Sequence, residues 1–225
     1  MNLNNTNIIF PILVQKYTYS KHDEFKLFLT DYIKYKIKTF NGDWNNVTTV
    51  FQKDGDKKLL SSFLKQPEKE VKEFREFCEE KCLHYASEIL QYDIEKMLVT
   101  DSWINIYEKL DSVQKPHYHA NSFLCGNYFL NYTDKHSPLC FLSPYSSLNQ
   151  NLSSIVKINK KKEVNPLNAG ESHIFCDEGQ ILFWPSFLYH FVPASETIGR
   201  STISMNFMPN KILNEMYGFE IKSLD

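Results

Sequence analysis

The chain has 225 residues and a mass of 26.5 kDa, and it carries 25 basic against 27 acidic side chains for a net charge of −2. That length suits a single hydrophobic core and leaves little room for two full domains. A near-neutral balance also argues against a nucleic-acid partner, because a domain that neutralises several phosphates carries an excess of Lys and Arg on one face.

In chain order, the first apolar run, Ile8 to Val14, is broken by Pro11. It is too short to span a bilayer and lacks the charged start and cleavage site of a secretory signal, so no membrane partner is expected. Together with the residues up to Thr18 it reads as an edge strand. From Ser20 to Thr39 the residues Phe25, Leu27, Phe28, Tyr32, Ile33 and Tyr35 keep a helical spacing behind a Ser20-to-Asp23 start signal, and Asn41-Gly42-Asp43 ends it. From Pro67 to about Tyr92, Val71, Phe74, Cys78, Cys82, Tyr85 and Ile89 repeat every three or four residues, with Pro67 at the first helical position and Glu68 and Glu70 in the first turn. Cys78 and Cys82 share one face of that helix and read as core packing. The five cysteines are odd in number and include no CxxC pair, which fits a reduced, cytoplasmic setting without a disulfide framework or a zinc knuckle.

Near Thr100 the texture changes to short runs of β-formers between turn residues: 103–107, 116–120, 123–132, 139–142, 153–158, 171–176, 180–184, 190–193 and 200–208. Such a series without long helices predicts a barrel or a jelly-roll sandwich, with the helical half bracing one sheet. The polar stretch Asn149 to Lys162, which includes the basic run Lys160 to Lys162, reads as a solvated hairpin or lid. Seven glycines against 17 Phe, 13 Tyr and 3 Trp, with no GxGxxG or Walker-type loop, argue against a nucleotide held by a backbone phosphate cradle.

Chemistry concentrates in the second half. His117 and His119 lie two apart in an expected strand, so both imidazoles face one side at a spacing that suits two cis ligands of one metal ion. A third histidine, His190, follows the apolar strand that starts at Gly179 and the corner at Pro185-Ser186. Ten residues on, Arg200 opens a strand whose positions 200, 202, 204 and 206 are polar while 203, 205 and 207 are apolar. A guanidinium fork at Arg200 with the Thr202 hydroxyl two residues later makes a carboxylate receptor. Each feature alone also admits a plainer reading: surface histidines, a core histidine beside Tyr189 and Phe191, a surface arginine at a strand start.

Taken in order, Ser102-Trp-Ile-Asn105, Pro116-His-Tyr-His-Ala-Asn-Ser122, Cys125-Gly-Asn-Tyr-Phe129, Gly179 with Phe183-Trp-Pro-Ser186, His190 and Arg200-Ser-Thr-Ile-Ser204 resemble the non-haem Fe(II)- and 2-oxoglutarate-dependent oxygenases, in particular their bacterial and phage branch. Ile9 to Val14 resembles that branch's opening strand. The resemblance implies a double-stranded β-helix, a jelly-roll or cupin-like core at 101–210, supported by an N-terminal strand and helices at 1–100 and followed by a tail at 211–225, all in one domain. It also implies Fe(II) on His117, His119 and His190, 2-oxoglutarate gripped by Arg200 and Thr202, and O2-dependent hydroxylation of a small-molecule or peptide substrate with release of succinate and CO2.

Two departures stand out. The wider superfamily uses a 2-His-1-carboxylate triad, whereas His119 occupies the carboxylate place here. Asp134 or Glu178 is an alternative source of that carboxylate. Where related enzymes carry a Tyr on the 2-oxoglutarate tail, Phe129 stands, with Tyr128 on the opposite strand face, so Asn105 becomes the candidate replacement. Two rival readings remain. A cupin would share the three histidines, but it would lack its usual Glu after the HxH, replace a Gly with Phe187 and leave Arg200 unemployed. A non-catalytic β-sandwich would use the histidines only for packing.

Overall fold

The computed structural model describes residues 11–39, 48–50, 63–144 and 169–222, with the side chains of 34–39 and 48–50 left aside. Twelve strands and two α-helices occur among them: β1 (Gln15–Thr18), α1 (His22–Thr39), β2 (Thr48–Val50), α2 (Lys69–His84), β3 (Met97–Tyr107), β4 (Gln114–His117), β5 (Leu124–Asn131), β6 (Leu139–Leu142), β7 (Glu171–Ile174), β8 (Gln180–Pro185), β9 (His190–Val192), β10 (Arg200–Pro209), β11 (Lys211–Leu213) and β12 (Gly218–Glu220). The expected strand 153–158 and the polar stretch 149–162 fall outside the described residues.

The strands β8-β5-β10-β3 form one four-stranded wall and β4-β9-β6-β7 the facing wall, all neighbours antiparallel. This is a double-stranded β-helix. Of the edge strand expected over Ile8–Thr18, only residues 15–18 form a strand, β1, which extends the larger wall beyond β8; 11–14 are not strand and 8–10 lie outside the described residues, while β2 extends the wall beyond β3, giving six strands in all.

Period-two alternation explains which residues face where. On β5 and β10 the residues Tyr128, Ile203, Met205 and Phe207 point outward into a core shared with Phe25, Leu29, Val71, Phe74, Cys78 and Cys82 of the helices. On the other face Cys125, Phe129, Leu182 and Trp184 point inward to meet Leu139, Phe141 and Val192 of the smaller wall. The helices thus brace one sheet, as the sequence suggests. Cys78 and Cys82 are buried packing residues, and every cysteine is free and buried.

Several boundaries shift. Strand β3 starts at Met97 rather than Trp103, because its pairing with β10 runs from Arg200↔Tyr107 to Pro209↔Met97. Helix α2 starts at Lys69 with Glu68 as its cap residue, so Pro67 lies before the helix rather than at its first position. The helix continues as a π-helical turn, Tyr85–Ile89. Leu27 is exposed, and Leu29, which completes the stripe of Phe25 and Ile33, is buried instead. The segment read as a tail carries the hairpin β11–β12. No described helix is long and apolar enough to cross a membrane.

Candidate metal centre and anion pocket

Three histidines converge between the walls at one end. His117 ends β4 and pairs in register with His190, the first residue of β9. His119 lies just past the end of β4 and is tied in by its N–H, which donates to the Ser186 carbonyl at 3.2 Å. Ring centroids are 4.3 Å apart for His117 and His190, 4.9 Å for His119 and His190, and 5.3 Å for His117 and His119. One ligand atom from each lies within 4.8 Å of the other two, and no carboxylate joins this cluster among the described residues.

The hydrogen bonds fix which ring nitrogen is offered. His117 Nδ1 donates to the Lys115 carbonyl at 2.7 Å and His190 Nδ1 to the Leu188 carbonyl at 3.0 Å. A carbonyl can only accept, so the proton sits on Nδ1 and the lone pair on Nε2. His119 Nδ1 meets Asn206 Oδ1 at 2.6 Å, with the same consequence. Burial pushes the His190 imidazolium down to about 3, the Leu188 carbonyl opposing and His117 and His119 reinforcing the shift. Burial lowers His119 in the same direction against its bond to Asn206. Both rings are therefore neutral near pH 7, the state a metal ligand requires.

Beside this cluster, the inner faces of β3 and β10 form a largely polar floor. Register places Arg200 beside Tyr107, Thr202 between Asn105 and Phe129, Ser204 between Trp103 and Asn127, and Asn206 between Asp101 and Cys125. Arg200 is fully buried, with its guanidinium 4.6 Å from the Tyr107 ring, 5.7 Å from Phe129 and 5.9 Å from Tyr132. Its Nε, Nη1 and Nη2 have no hydrogen-bond partner, and neither do Thr202 Oγ1, Tyr107 Oη, Asn127 Oδ1 and Trp184 Nε1. Buried, unpaired donors around an uncompensated cation are costly. Arg200, Thr202 and Tyr107 together offer the set of donors that an anion with several acceptor atoms would need.

The remaining expectations sort cleanly. Glu178 is committed elsewhere: it accepts from Lys26 Nζ at 2.7 Å and from the Tyr132 N–H at 3.0 Å, and it meets His22 Nε2 at 3.2 Å. Asp134 is exposed in the loop after β5. Neither is in the histidine cluster. Asn105 is buried with its amide donating to Ser204 Oγ at 2.9 Å. The unpaired hydroxyl beside Arg200 belongs instead to Tyr107, the next residue on the same face of β3. Alternation from Asn105 carried that signal, since positions 103, 105 and 107 share a face. Burial raises the Tyr107 phenol and Arg200 opposes the rise, so it remains a neutral donor. Tyr128 does point away from Phe129, its hydroxyl meeting His22 Nδ1 at 2.6 Å.

Residues 101–207 match the family described as "Putative 2OG-Fe(II) oxygenase". No curated protein matches the chain in sequence. Among solved structures, HygX from Streptomyces hygroscopicus with nickel and 2-oxoglutarate bound is similar at 13% identity and a TM-score of 0.52, covering 88% of this chain and 82% of that one. The epimerase SnoN in complex with Fe3+, alpha ketoglutarate and nogalamycin RO is similar at 10% identity and a TM-score of 0.57, covering 88% and 79%. An oxidoreductase of the 2OG-Fe(II) oxygenase family from Burkholderia pseudomallei matches over 50% of its own length at 12% identity and a TM-score of 0.38. The stretch that matches the 2OG-Fe(II) oxygenase family model holds the three histidines, Tyr107, Arg200 and Thr202, and its strands form the double-stranded β-helix, the fold shared with these solved structures.

Proposed function

We propose that this protein is an Fe(II)- and 2-oxoglutarate-dependent dioxygenase that hydroxylates a C–H bond of a small molecule or peptide, with 2-oxoglutarate converted to succinate and CO2. The carrying observation is the buried, unpartnered Arg200, which lies on the same strand face of β10 as Asn206, the hydrogen-bond partner of His119 in the three-imidazole cluster. A metal-only site such as a cupin's would leave that arginine without a purpose. The 2-oxoglutarate in the structures of HygX and SnoN, with nickel in one and Fe3+ in the other, supports the same cofactor pair.

His117, His119 and His190 would hold the iron through Nε2. Arg200, Thr202 and Tyr107 would hold the distal carboxylate of 2-oxoglutarate, with Asn105 as a further polar contact beside Thr202. Bound together, the iron and the keto acid supply the oxidising power that O2 chemistry at a C–H bond requires. Tyr107, Phe129 and Tyr132 wall the guanidinium off from water, which strengthens its pairing with a carboxylate. Three neutral imidazoles bring one negative charge fewer than a triad with a carboxylate, so the keto acid contributes more of the charge that balances the metal.

The test is anaerobic addition of Fe(II) and 2-oxoglutarate to the purified protein. A weak visible charge-transfer band and a raised melting temperature are expected, and the absence of both would remove this reading. Succinate release screened against peptides, amino acids and nucleosides then identifies the substrate class. Product mass decides the reaction, because hydroxylation adds one oxygen atom and an epimerisation of the kind named for SnoN adds none.

A further inference from the structure

Two of the three clustered histidines are oriented by backbone carbonyls two residues earlier, Lys115 for His117 and Leu188 for His190. These bonds come with the chain and no substitution removes them. His119 differs, since its Nδ1 partner is a side chain 87 positions away, Asn206 Oδ1 at 2.6 Å. His119 is also the histidine that stands where the superfamily's carboxylate stands, and it lies just past the end of β4 without a strand partner of its own.

We propose that Asn206 is the positioning residue for the metal centre: its side-chain oxygen holds the proton of His119 on Nδ1, so that Nε2 is presented as the third ligand atom. This rests on the reading of the three histidines as the iron site. Amide orientation is decisive, because an amide nitrogen facing His119 would require an acceptor at Nδ1 and put the proton on Nε2, which would then be unable to bind a metal. The Cys125 thiol also faces Asn206 Oδ1, at 3.8 Å, as a weak second donor would. Cys125 and Asn206 are register partners on β5 and β10, so the contact belongs to the sheet.

The backbone explains why Asn206 can reach. The pairing of β10 shifts between Asn206 and Phe207, where β3 carries one extra residue, and Thr100 Oγ1 donates to the Asn206 carbonyl at 3.3 Å. Irregularities of this kind re-aim a side chain beside a functional site. The Trp103 ring lies 5.4 Å from His119 and limits the imidazole's rotation from the side of β3. Arg200, Thr202 and Asn206 lie on one face of one strand. A single rigid element thus fixes both the anion receptor and the orientation of the distinctive metal ligand, and so their separation.

The experiment is titration of the metal-free protein with Co(II) alone, read by its visible d–d spectrum, for wild type, N206L, N206S and N206D. The leucine removes the acceptor at similar volume, the serine shortens it, and the aspartate keeps an oxygen in place. Supporting hydrogen bonds of this kind commonly change metal affinity by about 10–100-fold. Co(II) affinity is expected to fall by about that factor in N206L and N206S, with an altered d–d spectrum, and to be retained in N206D. Unchanged melting temperatures of the metal-free proteins would separate positioning from general stability. Wild-type affinity and spectrum in N206S, or in a folded N206L, would overturn the inference and leave the three-histidine site standing. A wild type that binds no Co(II) or Fe(II) would overturn the site and the inference together.

Discussion

Arg200 concentrates the chemistry of this molecule in one side chain. A buried guanidinium packed against three aromatic rings, with Nε, Nη1 and Nη2 unpaired, is costly, and a bound anion would offset that cost. Replacing it with alanine should weaken 2-oxoglutarate binding by about 1.5–3 kcal/mol, the usual worth of a hydrogen bond to a charged group, which is roughly tenfold to a hundredfold and more. Titration of the charge-transfer band at saturating Fe(II) measures this, and Fe(II) affinity in the absence of 2-oxoglutarate should not move. Tyr107→Phe should cost about 0.5–1.5 kcal/mol in the same titration. The metal-free melting temperature of that variant should hold or rise, because the substitution removes a buried hydroxyl that has no partner. His190→Ala should abolish stoichiometric Fe(II) binding, which metal analysis after desalting would show. The residues behind these expected outcomes were visible in the sequence, except Tyr107. There the family resemblance marked a missing tyrosine at Phe129 and pointed to Asn105 in its place, whereas the pairing Arg200↔Tyr107 sets Tyr107 beside the arginine.

The elements are held to the floor by two devices. One is close packing at Gly126 on β5, where a Cβ would meet Phe183 at 3.0 Å and Phe207 at 3.1 Å. Gly126→Ala should therefore destabilise the fold by about 1–3 kcal/mol, as overpacking does, and a shifted urea midpoint with unchanged slope would report it. The other is the network in which Glu178 joins His22 and Lys26 of α1 to the Tyr132 N–H at the end of β5. Lys26 also donates to Asn131 Oδ1, and the Asn131 amide donates to the Gly199 carbonyl next to Arg200. Burial alone would raise the Glu178 carboxyl, but the bonds from Lys26, Tyr132 and His22 outweigh it and hold the group below its ordinary 4.5. Folding therefore favours the ionised form. The stability it contributes is present above about pH 4.5 and is lost as pH falls through the lower folded value. Wild type should lose melting temperature more steeply than E178Q below about pH 4.5, and parallel curves would dismiss the staple.

At the scale of the whole molecule, two walls of four strands meet over a polar floor and helices seal the outer face of one wall. A ligand set that binds only this assembled state must stabilise it by mass action, by about 2.7 kcal/mol at a hundredfold excess over the dissociation constant. Fe(II) and 2-oxoglutarate together should raise the melting temperature of wild type. The 2-oxoglutarate increment should shrink in Arg200→Ala while the iron increment persists, which thermal melts of both proteins metal-free, with Fe(II), and with Fe(II) plus 2-oxoglutarate would show.

By itself the sequence indicated the class of fold, and it singled out three histidines that do converge and an Arg200-Thr202 pair that does share a buried strand face, because these lie in local patterns: alternation along strands, a His two residues from a His, a polar face opposite an apolar one. It also placed Cys78 and Cys82 on one helix face, where they pack in the core. Tertiary structure decided what no local pattern contains. Glu178 and Asp134 lost their standing as metal ligands because one is engaged by α1 and the other lies on an exposed loop. Asn105 turned toward Ser204, the unpaired hydroxyl beside the arginine fell to Tyr107, and Asn206 came within 2.6 Å of His119. The last three depend on the register between strands distant in sequence, which is set by matching the hydrophobic patterns of both partners and by the turns between them, so no single strand contains it.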